Sequence, residues 1–306
     1  MENNKDLIGF LPRKISIEFD GGRFRALDSF DEVAKHLRLR TNRDGYVYPP
    51  QTVSVVASQV ADGRLLQDNE KKWEEVPNSE RPALLHRLPA SHELSISNPP
   101  VGLIFRESDG AFLMHLASYL FGVRLQFHDW WFDGRVPVVS THNIFVTPQG
   151  ANNFFSHSYN TWKNWEPDHR YLFTNILYMN SRSPSYEWDW EQFIIDYMVL
   201  DSCYHISSKL YKIKGNNDIR QIKNMCDHFG LATDDSSIRI IVRLRHNLFH
   251  KALWDGSHPC TAIPADAWRQ VNMLRNLNQR LIAAIIRFDT EYINIPWSNR
   301  GTCLFA

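Results

Sequence analysis

The strongest helix signal in the chain is WDWEQFIIDYMVLDSCYHISSKLY, residues 188–211. Its large apolar side chains recur mostly at steps of three, four or seven residues, which is the periodicity of one face of an α-helix. They are Trp190, Phe193, Ile194, Tyr197, Leu200, Tyr204 and Tyr211. The spacing therefore predicts one long helix over about residues 188–211.

Three further helix signals follow this stretch. Residues 218–229 form a shorter candidate helix, and the capping run DDSS begins a helix over about residues 234–254. Residues 264–288 carry a Pro and an Asp near their start and an apolar face beyond, which predicts a last helix. Four helices with short connections predict an all-helical bundle over about residues 188–288.

The preceding sequence, residues 14–180, consists of short segments that are separated by turn-forming residues, among them Pro148-Gln149-Gly150. Such spacing favours strands and loops over long helices. Within it we expect strands at 15–19 and 52–60, a helix at 111–121, and a hairpin that pairs 123–127 with 136–140. This half of the chain is therefore predicted to be β-rich.

The fold class that these patterns predict is α+β. A length of 306 residues suits two domains, and the change of character lies near residues 165–187. The most linker-like segment there is 181–186. We therefore divide the chain into a β-rich N-terminal domain, residues 1–165, and a helical domain, residues 166–306.

Charge, cysteine content and hydropathy limit the classes of function and the compartment that the sequence suggests. Lys plus Arg and Asp plus Glu number 34 each, so any nucleic-acid contact has to come from a local positive patch. The four cysteines are too widely spaced for a CxxC pair, and nothing near them suggests a secreted disulfide framework, so a reducing cytoplasm is expected. The longest aliphatic run, 281–286, is too short to cross a bilayer, so we expect no membrane partner.

The run RLRHNLFH, residues 243–250, places a charge where a helix should pack inward. Arg245 falls on the apolar stripe of its predicted helix, so its guanidinium needs a partner. Asp201 falls inside the apolar stripe of the long helix, and a buried carboxylate facing a buried guanidinium would satisfy both charges. An internal ion pair with no further role is the alternative.

Two histidines of this run share one flank of the helix. His246 and His250 are four residues apart, and Arg245 lies about 140° around the axis from His250, so a long Arg and a His can converge on one docked group. The same spacing suits two metal ligands, with His258 and Cys260 as further candidates. A zinc site is therefore the alternative, which sensitivity to EDTA would reveal.

The run from Arg245 to His250 resembles the motif of the HEPN family, an Arg followed by four to six residues and a His. In that family the residue after the Arg is commonly Asn, Asp or His, and His246 fits. The position of the motif in a capped helix within a bundle supports the resemblance, which covers about residues 188–288. No family resemblance covers the first half of the chain.

The resemblance implies an endoribonuclease that needs no metal or other cofactor, in which the ribose 2′-OH attacks the adjacent phosphorus and leaves a 2′,3′-cyclic phosphate. His250 would move protons and Arg245 would stabilise the negative charge of the transition state. Either His246 or Asn247 would position the scissile group. HEPN nucleases are usually dimers with facing motifs, so a homodimer with composite sites is expected.

The resemblance also implies a biological setting in antiviral defence or toxin systems. Residues 1–165 would then be a sensor or specificity domain, and a regulatory protein partner is an open expectation. The alternative is a HEPN-like bundle that binds RNA or dimerises without turnover.

Further residues are candidates for RNA contact. Arg243 and Lys251 flank the motif, and Trp130 and Trp131 are able to stack on unpaired bases. The alternative for the tryptophans, together with Trp162 and Trp165, is a place in a domain core or in the interface with the helical bundle.

Overall fold

The computed structural model describes residues 4–49, 53–56, 72–75, 85–97, 104–232, 234–254, 267–297 and 302–305. These residues contain eight α-helices: α1 (Phe30–Arg40), α2 (Asp109–Phe121), α3 (Pro148–Lys163), α4 (Pro167–Arg182), α5 (Asp189–Tyr211), α6 (Asp218–Phe229), α7 (Asp235–Lys251) and α8 (Ala267–Ile285). No helix among them is long and apolar enough to span a bilayer.

The strands are short. Four of them form an antiparallel sheet in the order β1-β8-β3-β2, with bounds β1 (Lys5–Ile8), β2 (Ser16–Phe19), β3 (Gly22–Ala26) and β8 (His92–Ile96). The others pair two by two: β4 (Tyr46–Val47) with β10 (Val136–Pro137), β5 (Val53–Val56) with β6 (Lys72–Glu75), β7 (Leu85–His86) with β9 (Phe132–Asp133), and β11 (Ile144–Phe145) with β12 (Cys303–Leu304). The chain is therefore of mixed α+β class, as predicted.

The predicted strand at 15–19 is confirmed as β2. Ile17 and Phe19 are buried while their neighbours are exposed, which is the alternation of a half-buried strand. Phe19 packs on the rings of Phe155 and Tyr159, which lie on α3. The sheet is thereby fixed to the helical part of the molecule.

The helices predicted after residue 188 are present. α5 and α6 match their predicted bounds, and Gly230 ends α6 in the left-handed conformation, with φ of 69°. The carboxylate of Asp234 caps α7 by accepting hydrogen bonds from the amides of Ser236 and Ser237. α7 ends at Lys251, three residues before the predicted end. Residues 255–266, which include the predicted start of the last helix, lie outside the described residues.

The prediction of strands and loops over residues 148–180 is wrong, because α3 and α4 occupy that stretch. The Pro-Gln-Gly run that suggested a turn is the first turn of α3. Its Pro occupies the start of the helix, where no amide hydrogen is needed, and the hydroxyl of Thr147 accepts a hydrogen bond of 3.0 Å from the amide of Gly150.

The hairpin predicted between 123–127 and 136–140 is also wrong. Phe127 forms a β-bridge with Ile8, and Val136 pairs with Val47. Both segments therefore pair with residues that are distant in sequence. Arg106 supports the first of these arrangements, since its guanidinium donates to Asp129 at 2.7 Å and to Asp6 at 3.0 Å.

The segment predicted as a linker, 181–186, is packed rather than exposed. Ser183 and Pro184 are buried in a short 3-10 turn, and the guanidinium of Arg135 donates a hydrogen bond to the carbonyl of Tyr186. One hydrophobic core takes buried side chains from both sides of residue 165, from Ile8 to Phe305.

A buried ion pair joins α5 to α8. Asp196 is inaccessible to solvent, and its carboxylate lies 3.5 Å from the guanidinium of Arg275. The same guanidinium donates to the side-chain oxygen of Gln192 at 2.7 Å. Burial raises the pKa of Asp196 to about 6, and the charge of Arg275 opposes that rise.

We predict that Arg275→Met destabilises the protein in a pH-dependent way. At pH 8 the variant leaves an ionised, buried Asp196 without its cation, which costs about 3–5 kcal/mol of unfolding free energy. The pKa of about 6 includes the lowering by Arg275, so Asp196 takes up its proton at a higher pH in the variant. The loss should therefore become smaller as the pH falls from 8 toward 6 and should level off below 6.

Urea unfolding of wild type and variant between pH 5 and pH 8 measures this difference. Gln192→Leu is the matched control, because it removes an uncharged partner of Arg275 and should cost the same at each pH. A loss in Arg275→Met that does not change with pH would contradict the prediction.

Candidate functional site

The predicted motif occupies the C-terminal half of α7. This helix buries one face, formed by Ser237, Ile238, Ile241, Leu244 and Leu248. Arg245 lies at the edge of that face, and its side chain is 31% exposed. The prediction of a fully buried guanidinium is therefore wrong, and the exposed edge leaves the cation accessible to an anion from solvent.

The acidic neighbour of Arg245 is Asp218, in the first turn of α6. Nη1 of Arg245 lies 3.9 Å from Oδ2 of Asp218, and the hydroxyl of Tyr197 donates to the same oxygen at 3.4 Å. The guanidinium also lies over two rings, 5.7 Å from the centroid of Tyr197 and 5.4 Å from that of Phe249. We call Tyr197, Asp201, Asp218, Arg245 and Phe249 the Arg245 cluster.

Asp201 does not form the predicted buried ion pair. It is exposed on α5, and among the described residues the carboxylate within 4.0 Å of Arg245 is that of Asp218. Asp201 still belongs to the cluster electrostatically. Partial desolvation of its carboxyl and the charge of Asp218 together raise its pKa to about 6, against the opposing charge of Arg245. Two carboxylates therefore share one cation.

Asp218 was not predicted as a site residue. Its one signal in the sequence is its position after Asn217, whose side chain caps α6 by accepting from the amide of Arg220 at 3.0 Å. An acidic residue in a first helical turn is common because it complements the helix dipole. Only the packing of α6 against α7 shows that it also faces Arg245.

The two histidines are neighbours, as predicted. The ring centroids of His246 and His250 are 4.8 Å apart, and both residues are exposed. Arg243 and Lys251 are exposed on the same helix, and Asn247 is half-buried. The C-terminal half of α7 thus presents two imidazoles and several cations to solvent.

No set of three or more His, Cys, Asp and Glu side chains suited to a metal ion occurs in the part of the chain that the structure describes. His258 and Cys260, the further ligands of the zinc alternative, lie outside that part. The EDTA experiment below therefore remains the test of that alternative.

The candidate tryptophans divide into two groups. Trp130 and Trp131 are 40% and 49% exposed, and the guanidinium of Arg87 lies 4.0 Å from a ring centre of Trp131. In contrast, Trp162 stacks on Phe112 within the core, and Trp165 packs against the same core. Only the first pair is therefore available to a base.

No protein-family model, curated protein or solved structure matches the chain. The chemistry of the Arg245 cluster is therefore inferred from its own side chains. They supply a permanent cation beside a carboxylate and a second carboxyl whose pKa lies near 6, and the exposed imidazoles of His246 and His250 lie one and five residues further along α7. Such a set is able to bind an anion and to move protons near neutral pH.

We predict that Asp201→Asn raises the melting temperature above pH 6. The pKa of Asp201 is about 6 in the folded protein against 3.8 for an ordinary Asp, so its ionisation penalises the folded state as the pH rises from about 4 to above 6. An amide carries no such penalty.

Thermal denaturation from pH 4 to pH 8 measures the effect. The gain of the variant over wild type should grow with pH and level off above about pH 7. Asp227→Asn, on the exposed side of α6, is the matched control for loss of one negative charge. A gain that is constant over the range, or the same in both variants, would contradict the prediction.

Proposed function

We propose that the chain is a metal-independent endoribonuclease of the HEPN type, with Arg245 and His250 as its catalytic residues. The observation that supports this most is that the C-terminal half of α7 carries both a guanidinium that lies beside Asp218 and Tyr197 and the neighbouring, exposed imidazoles of His246 and His250.

In the proposed reaction a base removes the proton of a ribose 2′-OH, and that oxygen attacks the adjacent phosphorus. The bond from phosphorus to the 5′ oxygen breaks, the leaving oxygen takes up a proton, and the products carry a 2′,3′-cyclic phosphate and a 5′-OH. His250 moves the protons, a task that imidazole performs in many enzymes by general acid–base catalysis. Arg245 binds the non-bridging oxygens, on which negative charge accumulates.

The geometry of Arg245 suits a phosphate that arrives from solvent. Its contact with Asp218 is long, 3.9 Å, so the guanidinium is oriented but not fully paired. Asp218 and the Tyr197 ring hold it from the protein side, which leaves N–H groups for a phosphate oxygen. His246 or Asn247 then positions the scissile group.

Local charge and aromatic side chains supply the proposed RNA contacts. Arg243 and Lys251 are exposed on α7, where they add positive charge next to the motif in a chain with no net charge. Trp130 and Trp131 are exposed enough to stack on unpaired bases of a single-stranded substrate, and tRNA, with its unpaired loops, is a candidate.

A homodimer with facing motifs completes this proposal. Phe249 and Met198, large apolar residues on α7 and α5, are 51% and 47% exposed, and a second copy would cover them. The same exposure favours the second candidate function, a HEPN-like module that dimerises or binds RNA without turnover. We further propose that residues 1–165 act as sensor or specificity domain for residues 166–306 in phage defence or a toxin system, under a regulatory partner.

We predict that the purified protein cleaves tRNA or total RNA in EDTA and leaves cyclic-phosphate ends. His250→Ala should reduce the rate by about 100-fold or more, because it removes the proton-transfer group. Arg245→Ala should reduce it by about 100-fold or more through loss of transition-state stabilisation. Gel analysis and end mapping of the products measure both effects.

His36→Ala and Arg239→Ala are the matched controls, since these residues are exposed on α1 and on the first half of α7. Circular dichroism checks that each variant is folded. Cleavage that survives in His250→Ala would identify a contaminant. Inactivity of wild type with RNA binding retained would favour the non-catalytic module, and activity that EDTA abolishes and zinc restores would favour the zinc alternative.

A further inference from the structure

A cavity of about 550 Å³ lies far along the chain from the Arg245 cluster, between α1 and the end of α2. Its walls are mainly apolar and come from buried side chains that belong to several segments: Phe10, Phe30, Ala34, Leu37, Phe121 and Val138. The volume lies within the range of small-molecule sites, about 300–1,000 Å³.

Most polar side chains of the cavity already have partners within the chain. The hydroxyl of Thr41 donates to the carbonyl of Leu37 at 2.7 Å, and that of Ser140 donates to the carbonyl of His142 at 3.2 Å. The side-chain oxygen of Asn42 accepts from two amides of its own turn. These polar groups therefore already form hydrogen bonds within the walls of the cavity.

The two arginines that line the cavity, Arg13 and Arg38, differ from these polar side chains in their partners. Among the described residues, no carboxylate lies within 4.0 Å of the guanidinium of Arg13 or of Arg38, and none of those that line the cavity is acidic. The guanidinium of Arg13 lies over the ring of Phe121, 5.8 Å from its centroid, so it stands directly beside the apolar wall. Two cations that face an apolar wall without a counter-ion suit an anion that carries an apolar body.

We propose that this cavity binds a small amphipathic carboxylate, with its charged end at Arg13 and Arg38 and its hydrocarbon body against Phe30, Leu37 and Phe121. The guanidiniums match a carboxylate because their N–H groups bind two oxygens side by side. The apolar walls match a chain or ring without further polar groups. This proposal does not depend on ribonuclease activity, and its test does not measure that activity.

Binding of octanoate to the full-length protein, measured by isothermal titration calorimetry, tests the proposal, with 1-octanol as the uncharged probe of equal chain length. We expect saturable binding of octanoate with one site per chain. Arg13→Gln and Arg38→Gln should each weaken it by about ten-fold or more, since each variant removes a charge-assisted hydrogen bond to the carboxylate. 1-Octanol should bind more weakly than octanoate to wild type.

Two control variants accompany this measurement. Arg239→Gln removes a positive charge on α7 and should leave octanoate binding unchanged. Ala34→Phe fills the cavity and should abolish binding of both probes. If that variant does not fold, Arg38→Gln still tests the site, because Arg38 is exposed on α1. Absence of saturable binding, or equal affinities in wild type and Arg38→Gln, would overturn the proposal.

Discussion

The packing of α5 against α8 is the constraint on which the candidate site depends. Asp196 has no solvent exposure, so α5 can pack only in the rotation that brings this carboxylate to Arg275. Successive residues of a helix are about 100° apart, so the same rotation fixes the direction of Tyr197 and Asp201. Tyr197 then reaches Asp218 on α6 and lies under the guanidinium of Arg245.

The sequence was most informative where local signals agreed with one another. α5, α6 and α7 combine an apolar periodicity with caps at their ends, such as Asp234 and Gly230, and their predictions are confirmed. The local signal at Pro148 gave a wrong prediction of a turn, because a proline followed two residues later by a glycine suits a turn and the first turn of a helix equally well. Strand pairings between residues that are distant in sequence, such as that of Val136 with Val47, cannot be inferred from the local sequence pattern.

The sequence predicted the arginine and the two histidines of the candidate site, but it did not predict Asp218, the carboxylate beside the arginine. Periodicity places Arg245 and the two imidazoles on α7, since that requires only the geometry of one helix. The choice between Asp201 and Asp218 depends on how three helices meet. Asp218 lies closer to the guanidinium, while Asp201 sits among like and unlike charges that leave its pKa near 6.

The cluster changes its charge within the physiological pH range. Ionisation of Asp201 adds one negative charge near the guanidinium of Arg245, and its protonation removes that charge. A negative charge there opposes the approach of a phosphate. The proposed substrate site therefore receives an anion more readily as the pH falls toward 6. Asp201, the carboxylate that the sequence periodicity predicted as the partner of Arg245, thus acts on the site through its charge and not through an ion pair with Arg245.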